Sequence, residues 1–218
     1  MTEFIFSMIA AFLVTFFITP HAIKYFRFIN LTTTDVHKKN EPLIPNSGGV
    51  PITIGLIGGL LLFVFINIFI QQNNIALVTL FAAMTSILII AFTGLFDDLN
   101  SGQVRRGGYA EGKRGLKDWQ KPLLTIPAAF PLMAIMAGDT QMALPLIGPV
   151  DFGILFPLLI IPIGVVGASN MVNMIGGFNG LEIGMGLIYT LALGTFALIN
   201  GSIEATVIFF VTFASLLG

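Results

Sequence analysis

Long runs of predominantly apolar residues leave a chain few choices, and Phe4–Ile23, Val50–Ile70 and Ile75–Phe96 are three of them. Crossing the hydrocarbon of a bilayer takes about 20 such residues, within a range near 17–25. Pro122–Ala137, Phe152–Gly167, Leu181–Ile199 and Ile203–Leu217 are shorter, but each is bounded by polar or turn-rich sequence, which brings the expected spans to seven. Backbone groups in lipid must pair within their own segment, so the spans are helices. The expected fold is therefore all-α, a polytopic transmembrane helical bundle forming one domain over residues 1–218, with no repeat or linker dividing it. Charged residues make up 10% of the chain, against about 25% in a soluble domain. The absence of cysteine excludes disulfides, thiolate metal sites and Cys nucleophiles.

The ten basic residues fall in two stretches: Lys24, Arg27, Lys38 and Lys39 after the first span, and Arg105, Arg106, Lys113, Arg114, Lys117 and Lys121 after the third. Cytoplasmic loops retain Lys and Arg, so these stretches are expected inside, the N-terminus outside, and the segments after spans five and seven inside. Contact with anionic lipid accounts for many of these charges equally well. Glu3 stands where a signal peptide would be basic, so the first span is expected to be retained. Pro157 and Pro162 predict a kink in span five, and alternation around Pro145 and Gly148 suggests a hairpin over Thr140–Asp151. The loop Asn100–Gln120 is rich in Gly, Lys and Arg. The end at Gly218, straight after an apolar run, suggests truncation.

Three polar constellations stand at the inside ends of these spans. Asp97 and Asp98 close span three, where mutual repulsion and the negative end of a helix both call for a compensating cation, either Mg²⁺ or a lysine. Taken alone, such a pair reads more readily as a solvated helix end. The stretch Ala168-Ser-Asn-Met-Val-Asn-Met-Ile-Gly-Gly-Phe-Asn-Gly-Leu-Glu182 sets Asn170, Asn173 and Asn179 around a Gly176-Gly177 break. Asn170 and Asn173 share a face if helical, and the glycines permit close backbone approach to a ligand. Loop capping would explain one of these amides more easily than three. The third stretch, Asp35 to Val50, joins His37, Lys38 and Lys39 to Asn46-Ser47 and a Gly48-Gly49 turn into span two, and alone it reads as an ordinary basic loop.

Together, in this order and on one side, the three stretches resemble the polyprenyl-phosphate N-acetylhexosamine-1-phosphate transferase family (glycosyltransferase family 4 type). That family includes the bacterial phospho-MurNAc-pentapeptide translocase and the enzymes that begin eukaryotic and archaeal N-glycan assembly. Gly176-Gly177-Phe178-Asn179-Gly180-Leu181-Glu182 is similar to the archaeal and eukaryotic branch, since the bacterial branch carries aspartates where Gly176 and Asn179 stand. The resemblance implies UDP-GlcNAc as donor, a polyprenyl (dolichyl-type) phosphate as acceptor and Mg²⁺ as cofactor. It makes Asn173 a metal ligand and Lys121 a phosphate contact. Asp97 and Asp98 become the paired catalytic aspartates. Val36, Asn46, Ser47, Asn170, Asn179 and Gly180 become substrate contacts, with Asn179 at the uracil and Val36 near the base through its backbone. It also implies about ten spans, a completing aspartate and a His-bearing sugar loop beyond Gly218, a homodimer, and a cytoplasmic active site in the plasma membrane or endoplasmic reticulum. No nucleic acid is expected among the partners.

The reaction so implied is attack of a lipid phosphate oxygen on the β-phosphorus of UDP-GlcNAc, releasing UMP. A phosphate monoester is already largely ionised near neutrality, so Asp97 and Asp98 are expected to organise Lys121 and the acceptor rather than abstract a proton. A truncated relative that binds without turnover is one rival. A transporter for a lipid or nucleotide sugar is another, and it requires ionisable groups at mid-span, where the sequence has essentially none.

Overall fold

The computed structural model describes residues 2–35, 38–40, 42–73, 75–101, 115–175 and 180–218. Helix α1 (Thr2–Phe28) leads through a short antiparallel pair, β1 (Thr32–Thr34) and β2 (Leu43–Pro45), into α2 (Gly49–Phe65). A π-helical turn (Ile66–Gln71) extends α2, and α3 (Leu77–Ser101) returns. Next come α4 (Gln120–Thr125), a 3₁₀ turn (Ile126–Ala129) and α5 (Phe130–Ala134). A hairpin of β3 (Gln141–Leu144) and β4 (Gly148–Asp151) follows, then a π turn (Phe156–Ile160) running into α6 (Ile161–Ile175), α7 (Leu181–Ile199) and α8 (Ile203–Leu217).

Five of these helices are long and apolar enough to cross a bilayer: Thr2–Phe28, Gly49–Gln71, Leu77–Asn100, Phe156–Met174 and Leu181–Ile199. The protein is thus an all-α polytopic membrane protein, with five long spans where seven were expected. Of the two remaining runs, Ile203–Leu217 forms an apolar helix of 15 residues that runs up to Gly218. The fourth run is interrupted. Pro122, Pro127 and Pro131 each withhold a backbone donor, and α4, the 3₁₀ turn and α5 follow one another as short pieces. The kink expected from Pro157 takes the form of the π turn, and the hairpin expected over Thr140–Asp151 is present. The β1–β2 pair, with Thr32 opposite Pro45 and Thr34 opposite Leu43, carried no clear signal in the sequence.

The main buried cluster joins α1, α2, α3 and α8. Ala11, Leu56, Leu60, Phe63, Leu80, Met84, Val207 and Val211 form its buried centre, and Phe4 meets Phe63 edge-on at 5.2 Å. Small residues set the distance between axes. A Cβ on Gly55 or Gly59 would come within 2.7 Å of the Ala11 or Ser7 carbonyl oxygen respectively. The outward faces, by contrast, expose Phe6, Phe16, Phe17, Phe69, Phe92 and Phe196. Such a surface would be an aggregation liability in water and is at home against lipid.

Candidate active site

The chain reverses at each helix end, so the start of α2, the end of α3, the start of α4 and the end of α6 meet at one end of the bundle. Asp97 and Asp98 occupy the last turns of α3. Neighbours on a helix point about 100° apart, and the two carboxylates take different partners. Asp97 turns to α4: its Oδ2 lies 2.8 Å from Lys121 Nζ, and its Oδ1 accepts the Leu116 N–H at 2.8 Å. This supplies the cation that the pair demands, through a lysine. Asp98 turns to the start of α2, where the Ser47 hydroxyl donates to its Oδ2 at 2.8 Å.

Ser47 is held for this task. It is buried, its backbone takes a left-handed φ of +64°, and its carbonyl accepts the Val50 N–H at 3.1 Å as α2 begins. The turn expected at Gly48-Gly49 is therefore made one residue earlier. Gly48 has φ −58°, and a Cβ on either glycine would meet nothing within 4 Å. Asn46 is half-buried beside it, with its N–H donated to the Leu31 carbonyl at 3.0 Å. Asp35, buried at the end of β1, pairs with Lys38 at 3.3 Å.

Lys121 is linked in turn to α6. Thr125, one helical turn further along α4, is buried and donates its hydroxyl to the Pro122 carbonyl at 2.9 Å. Its Oγ1 also receives the Asn170 side-chain amide at 3.1 Å, while the same Nδ2 donates to the Val166 carbonyl at 2.8 Å. Because α4 and α6 run antiparallel, one turn from Thr125 reaches Lys121 and one turn from Asn170 reaches Asn173. Asn173 therefore stands level with Lys121, exposed at the end of α6. Gly180 opens α7 with φ +81°, a left-handed position that favours glycine on backbone grounds alone.

Of the residues singled out from sequence, the structure thus links Ser47 to Asp98, Asp97 to Lys121, and Lys121 through Thr125 to Asn170. Val36 and Asn179, with His37, Gly176 and Gly177, lie outside the described residues. Thr125 was missed. Its spacing of four from Lys121 on an apolar helix was the available signal, but a threonine in such a segment usually bonds only to its own helix. Among the described residues no group of three or more His, Cys, Asp or Glu side chains is placed to hold a metal.

Residues 80–218 match the family model described as glycosyl transferase family 4. A Sulfolobus acidocaldarius protein, provisionally named as a UDP-N-acetylglucosamine–dolichyl-phosphate N-acetylglucosaminephosphotransferase, is 33% identical over 89% of this chain and 55% of its own length. The Dictyostelium discoideum protein of the same name is 26% identical over 89% of the chain and 47% of its own length. A phospho-N-acetylmuramoyl-pentapeptide-transferase of Limosilactobacillus reuteri is 29% identical over 89% of the chain and 57% of its own length. The chain spans about half the length of the curated relatives it matches. With nearly two thirds of its residues under the family model, and with paired aspartates, lysine and asparagines drawn together at one end of a membrane bundle, the chain belongs to glycosyl transferase family 4.

Proposed function

We propose that this end of the bundle serves the transfer of GlcNAc-1-phosphate from UDP-GlcNAc to a polyprenyl phosphate of the dolichyl type, at the cytoplasmic face. An oxygen of the lipid phosphate bonds to the β-phosphorus as the bond from that phosphorus to the UMP oxygen breaks, and the electron pair leaves with UMP. Little covalent work falls to the protein in such a transfer; positioning and stabilisation of spread negative charge dominate. The observation that carries the reading is the division of the aspartates. Asp97 spends both oxygens on Lys121 and the Leu116 amide, fixing a compact cation at a helix start. Ser47 holds Asp98 through its hydroxyl and its backbone N–H, which leaves Lys121 to Asp97. Lys121, set by Asp97, then neutralises and orients the incoming phosphate, while Asp98 fixes the start of α2 beside it through Ser47.

The resemblance implies Mg²⁺, which binds through one or two carboxylates plus substrate phosphates and keeps several waters. Asn173 would hold it through its amide oxygen, and the ion would supply further neutralisation of the diphosphate. The names of the relatives support the donor and acceptor; the choice of the archaeal and eukaryotic branch rests on Gly176 and Asn179. The placement of charge supports an enzyme working at one face over a transporter. Among the described residues, acidic and basic side chains stand near the ends of the long helices, and none lies mid-span.

The test is UMP release by the protein expressed from its own gene, purified in detergent and given UDP-GlcNAc, a polyprenyl phosphate and Mg²⁺. Release that requires the lipid and is abolished by chelation is expected. No release with UDP-GlcNAc, alongside release with UDP-MurNAc-pentapeptide, would move the chain to the other branch.

A further inference from the structure

The hairpin at the opposite end of the bundle from Lys121 plays no part in the chemistry above. Its register sets Met142 opposite Val150 and Leu144 opposite Gly148. Side chains alternate across a strand, so Met142, Leu144 and Val150 share one face, and Gln141, Ala143, Pro149 and Asp151 share the other. At the tip Leu146 is fully exposed and Ile147 is 73% exposed. Leu146 also holds φ at +72°, a conformation that bulky side chains rarely adopt. No charged residue stands between Asp139 and Asp151. A lone two-stranded hairpin is marginal in water unless something covers an apolar face, and here each strand packs chiefly on the other.

Its surroundings indicate what covers it. Exposed Met136 precedes the hairpin, and exposed Ile154, Leu155, Leu158 and Leu159 follow it into the π turn, so exposed apolar residues flank it on both sides. The base is pinned there. Gly138, at φ +97°, passes so close to Phe156 that a Cβ would lie 3.1 Å from its ring, and the Phe152 N–H donates to the Thr140 carbonyl at 2.9 Å. The base is also polar: Asp139 accepts the Gln141 N–H at 3.0 Å, and Asp151 accepts the Gly153 N–H at 2.9 Å. The Gly153 N–H, with the Thr140 hydroxyl, holds the Asp151 carboxyl below the usual carboxylate range, so it stays ionised on the watery face.

We propose that the β3–β4 hairpin lies flat in the boundary between headgroups and acyl chains of the leaflet opposite Lys121. Met142, Leu144 and Val150 face the lipid, and Leu146 and Ile147 dip into it. Free strand edges exclude the hydrocarbon centre, where unpaired backbone groups find no partner, but headgroup water satisfies them at the boundary. Amphipathic elements bind such boundaries through exactly this division of faces.

These 218 residues hold no cysteine, so single sites within them can be labelled once any cysteine outside them is replaced. Leu146→Cys and Ala143→Cys, made in the protein expressed from its own gene, carry an environment-sensitive fluorophore into phosphatidylcholine liposomes. At position 146 the probe is expected to emit to the blue, to lose most of its intensity to lipids spin-labelled high on the acyl chain, and to lose little to aqueous iodide. At position 143, on the other face, the preference is expected to reverse. Iodide quenching at 146 overturns the proposal. Shielding of 146 from both quenchers also overturns it, since protein would then cover the tip. Ile147→Cys provides the same readout should Leu146→Cys fail to fold.

Discussion

Ser47 joins two constraints in one residue: a left-handed backbone that starts α2 and a hydroxyl that holds Asp98. Ser47→Gly removes the hydroxyl while easing the backbone. A hydrogen bond to a charged group contributes about 1.5–3 kcal/mol, so kcat for UMP release is expected to fall roughly 10-fold to 100-fold, at 1.36 kcal/mol per tenfold. Ser47→Thr keeps the hydroxyl but strains the left-handed backbone, so it should rescue only part of the rate. A Ser47→Gly enzyme with unchanged kcat would deny the contact any part in turnover. Lys121 is a second such point. Lys121→Arg exchanges a compact charge for a planar fork and is expected to rescue poorly what Lys121→Ala loses, at least about 100-fold in kcat/KM if Lys121 meets phosphate in the transition state. Recovery of most of that rate by arginine would show that charge alone suffices there. The adjacency of Asp97 and Asp98 made a nearby cation legible in the sequence, and Lys121 fulfils it. The grip of Ser47 on Asp98 was not legible. Asn46-Ser47-Gly48-Gly49 does not say which residue takes the left-handed turn, and only the end of α3 standing beside the loop decides it.

Between elements, two contacts decide geometry. Thr125 ties α4 to α6, and with it the level of Lys121 to that of Asn173. Thr125→Val keeps the shape and removes the hydroxyl. It is expected to raise the UDP-GlcNAc concentration needed for half-maximal UMP release while leaving detergent thermostability near wild type, with Thr125→Ser restoring the original value. Equal loss in the Val and Ser variants would mean that volume rather than the hydrogen bond matters. The second contact is α1 on α2. Gly55→Ala would push a methyl group to within 2.7 Å of the Ala11 carbonyl and 3.1 Å of Ser215 Oγ, and would crowd Thr15 Oγ1 as well. Overpacking of this kind typically costs about 1–3 kcal/mol, so the melting temperature in detergent should drop, whereas Gly48→Ala, with nothing near its Cβ, should leave it unchanged. Sequence showed both glycines alike. Apolar periodicity fixes where helices run, but it does not reveal which face of α2 another backbone will approach.

For the molecule as a whole, hydropathy located every long helix, because a bilayer allows a spanning segment little freedom of length or hydrogen bonding. It read less well where the chain bends. The prolines of the fourth run break a segment that composition alone presents as one span, and the π turn that ends α2 shifts register without any compositional mark, whereas Pro157 marks the one before α6. Orientation is a separate question: the structure fixes which ends lie together, and the proposal that the Lys- and Arg-rich end faces the cytoplasm rests on the sequence. Asp118 stands just before α4, at the end that holds Lys121, and Asp139 stands at the base of the hairpin at the other end. If the Lys- and Arg-rich end faces the cytoplasm, as proposed, Asp118 stands inside and Asp139 outside. Asp118→Cys and Asp139→Cys in intact cells, treated with a membrane-impermeant maleimide, should therefore behave oppositely. Cysteine 139 is expected to react at once, and cysteine 118 only after the membrane is permeabilised. The reverse order would invert the bundle, setting the Asp97–Lys121 end against the outer medium, where a cytoplasmic nucleotide sugar could not reach it. Either order is read without any assay of turnover, so the sidedness of the site is decided independently of the reaction proposed for it.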